Sequence, residues 1–313
     1  MKKNIVLDMN LTEDFALAFF KVMENDELNV LGITLSFGET DLGSALKNTN
    51  GMLALFGRSV PVYLGAARPL VRDYLLKPRP MLLDQEINGL QIDCFDSSAD
   101  PAADATEFLH AALSDHQDTT IFCGGPLTNI ARLLQRYPEV KAKIHEIVWR
   151  GGTQRHANID MVKDKQTLLD PEAAQIVLES GVPLVMCPVD IGCEFAAGLQ
   201  EIDAKIGTKD PLEYQYLRLL KKRWCDLNAS AAPGERNKPL PLQEVASELY
   251  LTHPELFTVR KIYGEVDLKG KYTFGMLVID IQNRLEKKED AFNIFWLEHI
   301  NAQAALHYLY ERG

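Results

Sequence analysis

Behind the apolar run Ile5-Val6-Leu7, the chain reads Asp8-Met9-Asn10-Leu11-Thr12-Glu13-Asp14-Phe15-Ala16. Carboxylates and an amide at short intervals after a buried strand suit two kinds of chemistry. They can supply oxygens to a hard cation such as calcium, or they can accept hydrogen bonds from sugar hydroxyls. The plainer reading is a polar loop in which Thr12 caps a helix. Other chemistry is poorly represented. The seven histidines (His110, His116, His145, His156, His253, His299, His307) form no HxH or HxxxH pair. Gly124-Gly125 has neither the lysine nor the spacing of a phosphate-binding loop. His156 lies in a polar stretch after Gly151-Gly152, from which it could protonate a leaving group.

These groups need a frame. Short apolar runs alternate with amphipathic segments from the first residues onward. Strands are expected at 4–9, 28–36, 60–64, 119–123, 146–150 and 183–188. Helices are expected at 12–23, 41–56, 103–114, 127–136 and 171–180, with a long loop within 72–101. The last third is more mixed. It reads as a charged helix at 212–226, a loop at 229–241 and a helix at 242–251. β-rich runs follow at 258–268 and 271–281, then a strand at 292–296 and a closing helix at 297–310. Regular strand–helix alternation implies an α/β fold, with a mostly parallel central sheet covered by helices on both faces. No repeat or linker divides it, so residues 1–313 read as a single domain. Ligands of such sheets bind beyond the carboxyl ends of the strands. That singles out residues 8–14, 37–40, 124–128 and 151–164.

Composition narrows the partners. The net charge is −11 and the pI about 5.2, which argues against nucleic acid or an anionic membrane as partner. No apolar stretch is long enough to span a bilayer, and the first residues read as a buried strand and not as a signal peptide. Five cysteines without CxxC spacing read as free thiols of a cytoplasmic protein, with no zinc site.

The first loop resembles the Asp-x-Asp-x-Gly-x-Asp-Asp-Ala motif of the inosine–uridine type nucleoside hydrolases, without a gap. Asp8, Asp14 and Ala16 match; Asn10, Thr12 and Phe15 replace the second aspartate, the glycine and the fourth aspartate. Further stretches agree in order. They are Leu31-Gly32-Ile33-Thr34, Val60-Pro61-Val62-Tyr63-Leu64-Gly65-Ala66, Gly125-Pro126-Leu127-Thr128-Asn129-Ile130-Ala131, Asp170-Pro171-Glu172-Ala173-Ala174 and Pro254-Glu255-Leu256-Phe257. The resemblance covers about residues 4–310. It implies the nucleoside hydrolase fold, homodimers or homotetramers, and a small-molecule nucleoside or ribosyl ligand. It also implies hydrolysis of an N-glycosidic bond, with one calcium ion holding the ribose hydroxyls and the attacking water.

Carried over residue by residue, the resemblance gives an altered site. Asn10 stands at the position of the general base and metal ligand, and a neutral amide cannot take a proton at pH 7. Phe15 stands at a second ligand position and offers no oxygen. Thr128 matches a ligand that acts through its backbone carbonyl. Glu244 replaces a third aspartate, and Gln243 the histidine near the leaving base. Asp8, Asn10, Thr128 and Glu244 are thus the candidate metal residues, with calcium binding expected to be weak or absent. Asp14, Glu39, Asn158, Asp164, Gln166 and Gln243 are the candidate substrate contacts. Two expectations follow. The chain is a divergent N-ribohydrolase, with a displaced metal on Asp14, Glu39 and Glu244, or it is a nonenzymatic binder of a nucleoside or ribosyl compound.

Overall fold

The computed structural model describes residues 2–79, 104–159, 163–207, 210–232 and 236–310. The expected long loop at 72–101, and Cys94 within it, lie largely outside the described residues. Among the described residues, nine strands form one sheet: β1 (Lys3–Met9), β2 (Leu28–Leu35), β3 (Val62–Leu64), β4 (Thr119–Cys123), β5 (Ile144–Arg150), β6 (Leu184–Cys187), β9 (Phe257–Val266), β10 (Leu277–Asp280) and β11 (Ile294–Ile300). A separate two-residue pair, β7 (Ala196–Ala197) and β8 (Leu240–Pro241), is antiparallel. The main sheet runs in the order β10-β9-β11-β6-β5-β4-β1-β2-β3. It is parallel from β11 to β3; β9 is antiparallel to both its neighbours.

The helices are α1 (Glu13–Glu24), α2 (Leu42–Leu55), α3 (Ala105–Asp115), α4 (Thr128–Arg136), α5 (Lys165–Leu169), α6 (Pro171–Leu178), α7 (Val189–Glu194), α8 (Leu199–Lys205), α9 (Pro211–Ala229), α10 (Gln243–Thr252) and α11 (Ala302–Tyr310). None is long and apolar enough to cross a membrane, among the described residues.

The central strands carry apolar cores because both faces are buried there: Ile5-Val6-Leu7, Ile121-Phe122, Ile147-Val148-Trp149 and Leu184-Val185-Met186. Alternation sorts them into two cores. Ile5, Leu7, Phe122, Val148 and Val185 face one way. Val6, Ile121, Ile147 and Leu184 face the other. Short polar side chains start the helices: Thr12 accepts from the Phe15 amide, Asp41 from Ser44, and Asp164 from Gln166 and Thr167. The strands and longer helices expected in the first two-thirds are present with ends shifted by a few residues, while the short elements α5, α7, α8 and β7 are unexpected.

The end of the chain differs. The expected closing helix at 297–310 begins only at Ala302, because Leu297, His299 and Ile300 continue β11 against Val259, Thr258 and Phe257 of β9. Leu297 and Ile300 are apolar at helical spacing, and the neighbouring strand overrides that local signal.

Candidate functional site

The first-loop residues divide at once. Asp8, the penultimate residue of β1, is fully buried. Its Oδ1 accepts from Thr34 Oγ1 at 2.6 Å and from Asn129 Nδ2 at 2.7 Å, while Oδ2 has no protein partner. Burial pushes its pKa up to about 6, although both hydrogen bonds oppose the rise. Asp8 thus fastens β1 to β2 and α4, on the side of the sheet that carries Val6.

Asn10 is also buried, and both ends of its amide are committed to the backbone. Nδ2 donates to the Ser36 carbonyl at 2.9 Å and the Thr40 carbonyl at 3.0 Å. Oδ1 accepts from the Thr40 amide at 3.1 Å. The side chain clips the β1–α1 loop to the β2–α2 loop. Phe15 is wholly buried, with its ring 5.3 Å from that of Phe122. A Cβ at Gly124 would stand 2.1 Å from the Phe15 ring, so glycine is what admits the ring there. The side chain that the resemblance set at a ligand position is part of the core.

The centre of the site is Arg150, the last residue of β5. Its side chain is buried and its Nη1 pairs with Glu244 Oε1, at the start of α10. Its Nε has no protein partner. Burial alone would lower its pKa, but the carboxylates of Glu244, Glu39, Asp14 and Asp164 together hold it above the usual arginine value. Glu244 is raised by burial, with Arg150 opposing. Two further cations close the periphery. Arg223, on α9, reaches Asp14 through Nε at 2.8 Å and Glu13 through Nη1 at 3.3 Å. Lys165 Nζ lies 2.7 Å from Glu39 Oε2. Glu244 thus pairs directly with a cation of the chain itself, and the charges of Asp14, Glu39 and Asp164, from three other segments, act on that cation through space.

The remaining candidates are placed less centrally. Asp164 is buried and caps α5, accepting from the Gln166 amide at 2.9 Å and the Thr167 amide at 3.3 Å; burial raises its pKa against these bonds. Gln166 is buried with an unpartnered Oε1. Asn158 is exposed, and its Oδ1 accepts from the Lys165 amide at 2.8 Å. Gln243 turns toward β6, donating to the Cys187 carbonyl at 2.8 Å. The Thr128 hydroxyl donates to Asp170 at 2.6 Å. His156 is exposed in the loop after β5. Tyr216 and Trp224 are core residues of α9.

The match of the inosine-uridine preferring nucleoside hydrolase model spans residues 5–307. The chain belongs to that family. Its relatives include the pyrimidine-specific ribonucleoside hydrolase RihA of Shewanella woodyi, 29% identical over 299 residues, covering 90% of this chain and 89% of the relative. RihA of Salmonella enteritidis is 30% identical over 286 residues, covering 88% of each. A plant nucleoside hydrolase structure superposes with a TM-score of 0.86 at 19% identity, over 100% of this chain and 99% of that one. A purine-preferring ribonucleoside hydrolase from Gardnerella vaginalis gives 0.82 at 22%, over 99% of this chain and 98% of that one.

Nucleoside hydrolases are in general calcium-dependent. The donors present here do not fit that ion. The Asn10 amide is spent on backbone, Phe15 has no oxygen, and Glu244 is held by Arg150. Among the described residues, no cluster of three or more histidine, cysteine or acidic side chains is placed to hold a metal. Calcium takes about six to eight oxygens and needs carboxylates to offset its charge.

Sequence reasoning missed the three cations Arg150, Lys165 and Arg223. For Arg150 a signal existed: a charge directly after Ile147-Val148-Trp149, at the carboxyl end of a strand buried on both faces.

Proposed function

We propose that the protein binds a ribonucleoside or a related ribosyl compound at the carboxyl ends of its parallel strands. Calcium-dependent hydrolysis is not its chemistry in this reading. The supporting observation is a set of buried polar atoms without protein partners on that rim: Asp8 Oδ2, Ser36 Oγ, Arg150 Nε and Gln166 Oε1. Buried polar groups left unsatisfied are expensive. Sugar hydroxyls, each both donor and acceptor, suit such a mixed set. Asp14, Glu39, Asp164, Gln166 and Asn158 are assigned to the sugar side. His156 and Gln243 are assigned to the side of the base.

The test is calorimetric titration of the purified protein with uridine, inosine and 2′-deoxyuridine in EDTA. Both ribonucleosides should bind, and the deoxy compound about tenfold or more weakly, since it leaves buried polar groups unpaired. Asp164→Ala should abolish binding. If neither ribonucleoside binds while the protein is folded, the reading is wrong. Hydrolysis is the competing reading, favoured by the family match over residues 5–307. Product formation in the same samples decides between them.

A further inference from the structure

We infer that Arg150 is the resident cation of the site, a guanidinium that does the charge-balancing work a bound divalent ion does among clustered carboxylates. The inference concerns the site's electrostatics and not its ligand, so it can hold whether or not a nucleoside binds.

One buried side chain, Arg150, pairs directly with Glu244 and feels through space the charge of three more carboxylates from remote segments. Asp14 comes from α1, Glu39 from the β2–α2 loop, Asp164 from the start of α5 and Glu244 from the start of α10. Burying one carboxylate without a counter-charge is strongly unfavourable, and clustered carboxylates also repel one another. Some positive charge has to stand among them. Arg150 is 5% exposed and Glu244 8%, and they pair directly. Arg223 and Lys165 are only partly buried and pair with outer carboxylates, Arg223 with Asp14 and Glu13 and Lys165 with Glu39. The innermost position is therefore held by Arg150.

Location adds a second argument. Arg150 ends β5 directly before Gly151 and Gly152, and Gly152 has φ +85°. That left-handed turn takes the chain away from the strand without a Cβ. A side chain at 150 is thus fixed at the carboxyl edge of a central strand. A guanidinium there is permanently charged and carries five N–H donors. One group can pair with Glu244 while Nε remains for an oxygen acceptor. A metal ion admitted to the same place would meet this charge at close range, so cation and arginine exclude each other.

The test is thermal unfolding of the full chain in millimolar calcium and in EDTA, for the parent, Arg150→Met, Arg150→Lys and Arg150→Met/Glu244→Gln. The parent midpoint should be the same in both media. Arg150→Met should fall by about 5–10 °C in EDTA, because it strands the buried Glu244. Calcium should recover part of that loss, since it can enter the vacated place. The double variant should regain most of the loss and ignore calcium. Arg150→Lys should fold and also ignore calcium, which keeps the test decisive if the methionine variant fails to fold. A parent midpoint that rises with calcium would overturn the inference. So would an Arg150→Met variant that unfolds at the parent temperature, or an Arg150→Lys variant that calcium stabilises.

Discussion

Replacing Asn10 by aspartate, the residue that the first-loop resemblance implies at this position, should destabilise this protein. The two side chains are nearly the same size, so packing is unchanged and hydrogen bonding decides. Nδ2 donates to two backbone carbonyls, at 2.9 and 3.0 Å, and an aspartate oxygen there would face both as acceptor against acceptor. Two donated bonds are lost, each worth about 0.5–1.5 kcal/mol, and two buried carbonyls lose a partner. The 3% exposure of this position adds desolvation of a new carboxylate. The sum is about 3–5 kcal/mol at pH 7. That carboxyl should have its folded-state pKa raised above its unfolded value. The penalty is then full above the folded pKa and shrinks as pH falls toward the unfolded one, because a protonated acid can donate to one carbonyl. Urea unfolding at pH 7.5 and pH 5 would measure this, with the midpoint gap between variant and parent expected to narrow at pH 5. An Asn10→Asp protein as stable as its parent at pH 7.5, or one stabilised by calcium, would refute the reasoning.

Phe15→Ala should destabilise by about 3–5 kcal/mol, as the ring is fully buried against Phe122; chemical denaturation measures it. Gly124→Ala should also destabilise, because its Cβ would meet the Phe15 ring, and Phe15→Leu should relieve part of the loss in the double variant. Glu248, buried on α10 near Lys21 and Glu24 of α1 and the capping residue Asn25, has its pKa pushed by burial from about 4.5 to about 7. Its folded-state pKa is raised, so its penalty is full above pH 7 and fades as pH falls toward 4.5. Glu248→Gln should therefore raise stability at pH 8 by up to about 3 kcal/mol and by little at pH 5, which thermal melts at the two pH values would show.

The strands and helices of the first two-thirds were legible because both periodicities are strong there. β1, β4 and β6 are built on the short apolar runs Ile5-Val6-Leu7, Ile121-Phe122 and Leu184-Val185-Met186, and Thr12, Asp41 and Asp170 stand where caps are needed. The late boundary at Ile300 was not legible, because pairing with β9 is a long-range contact that local pattern does not carry. The substitutions at Asn10 and Phe15 could be seen in the sequence, but not what each now does. An amide clipping two loops and a ring filling space against a glycine are facts of packing. Arg150 was hidden for a different reason. Its place after Ile147-Val148-Trp149 was a signal, but its partner Glu244 lies 94 residues on, and no spacing in the chain reveals that pairing.

Turnover of inosine, uridine and a nitrophenyl riboside by the purified protein, in calcium and in EDTA, bears most directly on whether this site has left the family's chemistry. The expected result is no calcium-dependent release of base or nitrophenol, from protein that is folded in both media. Release that requires calcium would contradict the account, since it would mean that Arg150 yields its place and the carboxylates around it still assemble a working metal site.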